Sequence, residues 1–238
     1  MKKNYENLLV NIGANLVIVA VIAIILIGAF SGAVPASGKT KAIYSGNTAE
    51  KRVSLMVNVY WGTEYIDAML NEFEKHNVKT TFFLGGIWVA KNADLVKKMV
   101  EQGHEIGNHG YFHKDHKALS EKQNEDEILV TQKLIESIAG VRTSLFAPPS
   151  GSLGNNMFTV CERHNYKVIM WGKDTIDWRD KDAEIVYKRA TTDTQNGDLI
   201  LMHPTAHTLK ALPRILENLN QKGFKAVTVS ENLAPTSK

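Results

Sequence analysis

The run GHEIGNHGYFHKDH, residues 103–116, gathers four of the chain's eight histidines. His109 and His113 stand four apart, so on a helical turn both imidazoles would face one way and share a cation at about 2.0 to 2.1 Å. Zinc is the first choice among divalent ions that favour imidazole. His104 falls inside an expected strand, and His116 is expected in solvent. Farther on, His203 closes the apolar run DLILMH and is followed by Pro204. A histidine there titrates near neutral pH and can hand a proton to a leaving group. Asp177, next to Trp178, is the carboxylate expected to orient that imidazole. Each of these residues also has a plainer reading, in which a histidine is a hydrogen-bonded core group and an aspartate a helix cap.

Such side chains need a scaffold to bring them together. From Val53 onward short apolar runs alternate with amphipathic stretches, which predicts βα units around a parallel sheet. Seven strands are expected: VSLMVNVY from 53, KTTFFL from 79, HEIGNH from 104, TSLFAP from 143, KVIMW from 167, DLILMH from 198 and KAVTVS from 225. Between them, Ile66, Met69, Leu70 and Phe73 share one helical face, and a second helix stops at Gly103. A third runs from a Ser120 cap to Gly140, and further helices cover 155–164, 182–191 and 207–222. Periodicity leaves open whether the strands close into an incomplete barrel or stay a doubly wound sheet. Both place their sites at the C-terminal strand ends. The unusual residues fall there: Asn58, His109 and His113, the turn Pro148-Pro149-Ser150-Gly151, Asp174, Asp177-Trp178 and His203-Pro204.

The N-terminus differs in kind. Lys2 and Lys3 precede a stretch from Leu8 to Val34 without a charged residue, close to the roughly twenty apolar positions that cross a bilayer. Residues 1–34 are therefore read as a membrane anchor, 35–52 as a polar linker and 53–232 as the folded domain. Lysines before the apolar stretch predict a single pass, with the domain outside the cytoplasm. Small residues at Ala33, Val34 and Ala36 leave a cleaved signal and a secreted domain as the alternative. Lysine plus arginine number 28 against 25 acidic residues, scattered along the chain, which argues against a nucleic-acid partner. Cys161 is the single cysteine and is expected as a packed core thiol, so no disulfide supports the fold. AVPASGKT, residues 33–40, mimics a phosphate loop but lacks the strand and helix such a loop needs.

Together the pieces resemble the polysaccharide deacetylases, the NodB homology or carbohydrate esterase 4 family, across most of residues 53–230. NHGYFH resembles the family's second motif, FAPPSG its third, DTIDW its fourth and ILMHP its fifth. The resemblance implies an α/β fold, a distorted, TIM-like (β/α)7-type barrel behind the membrane helix. It implies a divalent metal, zinc or cobalt, and removal of acetyl groups from peptidoglycan or a chitin-like glycan by a monomer. Carried over residue by residue, His109 and His113 become metal ligands, His203 the acid, Asp177 its partner, and the Ser150 N–H the oxyanion donor. Pro148, Pro149, Trp178, Trp61 and Tyr111 become the sugar-binding wall.

The first motif departs from the pattern. The family's Thr-Phe-Asp-Asp-Gly is replaced by VNVYWG, closer to a sporulation-associated branch ending in Trp-Gly. In one register Asn58 stands for the catalytic base and Val59 for the aspartate ligand; aligned without a gap to the glycine, Tyr60 and Trp61 take those places. Neither pair supplies a carboxylate. The arginine that steadies the base is Ala147. Three functions follow: a hydrolase drawing a base from Glu64, Asp174 or Asp115, a non-catalytic module holding a glycan or partner, or a purely structural domain.

Overall fold

The computed structural model describes residues 41–236. Their eight short strands are β1 (Arg52–Val59), β2 (Thr81–Leu84), β3 (Glu105–Asn108), β4 (Leu145–Phe146), β5 (Lys167–Val168), β6 (Lys173–Asp174), β7 (Leu199–Met202) and β8 (Lys225–Ala226). All pair in parallel, in the order β5-β4-β3-β2-β1-β7-β6, with β8 against the start of β1. The helices are α1 (Thr63–Lys75), α2 (Gly86–Lys91), α3 (Ala93–Glu101), α4 (Glu121–Ala139), α5 (Asn155–Arg163), α6 (Ala183–Thr191), α7 (Ala206–Gln221) and α8 (Val229–Leu233). The result is a parallel-strand, barrel-like α/β fold.

The alternation of β1 sorts its side chains into two layers. Val53, Leu55, Val57 and Val59 join the large cluster that holds Ile66, Met69, Leu70 and Phe73 of α1 and Leu212, Ile215 and Leu219 of α7. Met56 faces the other way and packs with Phe83, Leu145, Ala147, Ile169, Leu199 and Val229. Full burial of each such large apolar side chain stabilises the fold by about 1.5–3 kcal/mol. Asn58, two residues beyond Met56, shares its side of the strand and sits one layer nearer the C-terminal end.

Local signals account for most boundaries. Ser120 and Gln123 form a reciprocal capping box at the start of α4, and Gly140 ends that helix with φ 69. KAVTVS is shorter as a strand than expected, because the Thr228 hydroxyl accepts from the Glu231 N–H and starts α8. β6 has no counterpart among the expected strands, since Lys173 and Asp174 carry no apolar side chain. Ile43 bridges Ile169 in parallel and Ser45 bridges Asp198 antiparallel, so the chain before β1 is already hydrogen-bonded to the domain. No helix among the described residues is long and apolar enough to cross a membrane, and the expected anchor lies outside those residues.

Candidate functional site

A cavity of about 440 Å³ opens at the C-terminal strand ends. That lies within the ~300–1,000 Å³ usual for small-molecule sites. Its walls are Asn58, Tyr60, Trp61, His109, His113, Ser150, Trp171, Asp174, Trp178, Leu201 and His203. The three imidazoles singled out from the sequence thus converge in one place.

His109 and His113 arrive there by a different route from the helical turn expected of their spacing. Residues 109–113 form a loop in which Gly110 has φ 70 and His113 φ 55, and this left-handed folding brings the two rings to 5.1 Å between centroids. Histidine is among the few non-glycine residues enriched in that region. Glu127 on α4 holds the loop from behind, one carboxylate oxygen accepting from the N–H of both Tyr111 and Phe112 at 2.7 Å. The His109 Nδ1 lies 2.7 Å from the Ala147 carbonyl oxygen, which can only accept, so Nδ1 carries the proton and Nε2 is bare. Burial, and then the His113 imidazole, push the His109 pKa down to about 3. Burial also lowers that of His113.

His203 is held by a buried carboxylate. Asp177, with no exposed surface, accepts from the His203 backbone N–H at 2.6 Å and lies 2.7 Å from its Nδ1. The Thr208 hydroxyl donates to the same carboxylate, and the His207 Nε2 lies 2.6 Å from the Asp177 carbonyl oxygen. These bonds fix the ring and place the proton on Nδ1, leaving Nε2 to exchange one. Ser150 occupies a left-handed position, φ 54, in the turn after β4.

The wall facing the imidazoles is aromatic. The Trp61 indole stacks on His203 at 5.7 Å and 11°, and the Tyr60 ring lies 5.0 Å from that of His113. Burial, followed by the charge of Glu127, raises the Tyr60 phenol, so it is a neutral hydroxyl and not a base. Val59 is fully buried in the outer cluster, on the other side of β1 from the cavity. Gly62, φ 77, would bring an added Cβ within 2.1 Å of the Pro204 carbonyl oxygen, which pins the turn and with it Trp61. The register that sets Val59 at a ligand position is therefore not the one this fold adopts, and Tyr60 and Trp61 occupy the cavity. Asn58 does line it, from one layer deeper.

Several expected wall residues stand elsewhere. Pro148 and Pro149 are buried beneath the turn and do not line the cavity. Tyr111 turns away, its ring so near Gly86 that an added Cβ there would lie 2.2 Å from it. His116, expected in solvent, is fully buried with Nδ1 2.7 Å from the Asn124 Oδ1. Of the three substitute bases, only Asp174 reaches the cavity, with one oxygen accepting from the Ile176 N–H. Glu64 is exposed on α1, and Asp115 accepts from the Ser152 hydroxyl at the surface. Leu201 was missed because it reads as one more apolar residue of its strand.

The donor set does not complete the metal site that the resemblance implies. His109 and His113 are paired at the cavity, but among the described residues no group of three or more metal-binding side chains is placed to hold an ion. An indole and a protonated phenol do not replace an aspartate ligand.

The comparisons agree with this geometry. The family model for polysaccharide deacetylase matches residues 45–169. The uncharacterized protein YlxY of Bacillus subtilis is 39% identical over 194 residues, which cover 82% of this chain and 61% of YlxY. A peptidoglycan-N-acetylglucosamine deacetylase of Bacillus cereus is 30% identical over 191 residues, covering 78% of this chain and 70% of the relative. Among solved structures, a CE4 family pseudoenzyme of Bacillus anthracis aligns with TM-score 0.80 at 36% identity, over 82% of this chain and 69% of that one. A mutant of it, described as having restored enzymatic activity, aligns equally well at 34% identity, over 82% of this chain and 72% of that one. By its matched motifs and fold, the chain belongs to the polysaccharide deacetylase family.

Proposed function

We propose that this domain keeps the cleft of a cell-wall polysaccharide deacetylase and uses it to hold an acetylated glycan, peptidoglycan or chitin-like, with hydrolysis impaired or lost. One observation carries the reading: Tyr60 stands against His113 and Trp61 against His203, where the resemblance expects the base and the aspartate ligand, and neither supplies a carboxylate. Members of the family are metal-dependent in general. A divalent ion, zinc or cobalt, would have the His109 and His113 pair here but no aspartate ligand, and no hydrolytic step is assigned to one. What remains is the acid arm, with His203 oriented by Asp177, and the turn at Ser150, which lines the cavity and whose N–H the resemblance makes the oxyanion donor. Trp61 and Trp178, 44% and 54% exposed, offer flat faces for sugar rings.

The same proposal makes the domain a monomer with a distorted (β/α)7-type barrel, tethered outside the cell membrane by residues 1–34 and linked to sporulation. Its support is the uncharged stretch from Leu8 to Val34 and the Trp-Gly form of the first motif. A second reading, residual hydrolysis, is favoured by the position of Asp174 in the cavity wall.

The test is acetate release from acetylated chitooligosaccharides with zinc present. The unmodified chain is expected to release none, and a variant carrying Tyr60→Asp, Trp61→Asp and Ala147→Arg is expected to release it. The restored Bacillus anthracis mutant supports the feasibility of that rescue. Release by the unmodified chain that disappears in Asp174→Asn would reverse the conclusion in favour of a working hydrolase.

A further inference from the structure

Asn58 is 4% exposed, yet its Oδ1 has no hydrogen-bond partner in the protein. It lines the cavity at the end of β1, below the aromatic wall. A buried carboxamide left unpartnered in an otherwise tightly packed strand is costly, and natural folds keep such a group where something else completes it. The torsion that turns a carboxamide is soft, so the oxygen can swing toward the cavity when a donor arrives.

Resting on the glycan-holding reading above, we propose that Asn58 is the residue that recognises an intact N-acetyl group, its Oδ1 accepting the acetamido N–H of a bound N-acetylhexosamine. The N–H and C=O of a secondary amide point in opposite directions. With the N–H on Asn58, the carbonyl is therefore directed across the mouth, toward the side where Ser150 stands, three strands away in the sheet order. Leu201 and the indole faces supply apolar surface for the methyl. Asn58 is neutral and buried, and Leu201 stands with it in the wall, so the deep end of the cavity suits a neutral amide better than an ammonium. Asp174, two strands from Asn58, is the one carboxylate in the wall that would favour the deacetylated sugar, which makes the comparison of the two ligands a real contest.

The experiment titrates the full chain, kept soluble in mild detergent, with the fully N-acetylated chitotetraose and with the fully deacetylated tetramer by calorimetry at neutral pH. The unmodified chain is expected to prefer the acetylated tetramer by at least about tenfold. Asn58→Leu, close in shape, is expected to weaken that ligand by about tenfold while leaving the melting temperature unchanged or higher, because a buried unpartnered polar group is removed. Asn58→Asp is expected to reverse the preference toward the amine. If Asn58→Leu binds the acetylated tetramer as tightly as the unmodified chain, Asn58 is merely hydrated and the assignment is wrong, although the cleft would still hold glycan. Failure of the unmodified chain to bind either tetramer overturns the glycan-holding reading itself, and Asn58's role with it.

Discussion

Replacing His104 by glutamine should remove most of one step in the acid sensitivity of this fold. The imidazole sits between two phenyl rings, 5.7 Å from Phe73 and 5.3 Å from Phe82 between centroids, both edge-on. Its Nδ1 accepts the Thr80 N–H at 3.2 Å, so a proton arriving there would set one N–H against another. Burial, and next the charge of Lys79, lower its pKa from 6.5 to about 4. The group is neutral in the folded chain and charges more readily once unfolded. Its contribution is therefore complete above pH 6.5 and is lost as pH falls from there toward 4. At about 1.4 kcal/mol per unit, the loss between about pH 7 and pH 5 comes to about 2 kcal/mol, a substantial share of a typical domain's stability. Urea titrations of the unmodified chain and of His104→Gln at those two pH values measure it. The variant is expected to be weaker at both, since it forfeits the ring contacts, but to lose about 2 kcal/mol less on acidification. Equal losses in the two chains would refute the reasoning.

Other perturbations probe separate contacts. Asp177→Ala leaves the His203 N–H and the Thr208 hydroxyl without their buried acceptor, and should lower unfolding free energy by about 3–5 kcal/mol in the same titration. Gly62→Ala must keep φ 77 and seat a methyl 2.1 Å from the Pro204 oxygen; a loss of about 2 kcal/mol or more is expected, seen as a lower melting temperature. Cys161 is fully buried with its thiol pushed up to about 12 by burial, so the native chain should resist a maleimide that labels it rapidly in denaturant.

The histidines of the site could be found from sequence because each ends or follows a strand, and strand ends of one sheet meet at one rim. Side-chain direction was harder to read. In β1 the run Val-Ser-Leu-Met-Val-Asn-Val sets Val53, Leu55, Val57 and Val59 on one side and Ser54, Met56 and Asn58 on the other, but alternation alone does not say which side ends at the cavity. The choice between Val59 and Tyr60 at the cavity depended on that distinction. His113 was expected on a helix because spacing says nothing of a left-handed residue, and that conformation rests on Glu127, fourteen positions away. Tyr111, Pro148 and Pro149 lie in the right loops but point into packing. Asp174 could be placed near the rim, though its two-residue strand has no pattern to detect. The unpartnered state of Asn58 belongs to tertiary structure alone.

The stitching of residues 43–46 reaches beyond their number. In the sheet order, β5 and β6 are the two ends, and a parallel strand with a free margin is a template onto which another chain can add. The Ile43 N–H donates to the Val168 oxygen and its own oxygen accepts from Met170, while the Gly46 N–H donates to the Gly197 oxygen at the foot of β7. This short span covers the margin of β5 and reaches to the far side of the opening. A truncation at Val53, where the apolar pattern begins, would strip that cover and present bare backbone to neighbouring chains, inviting self-association.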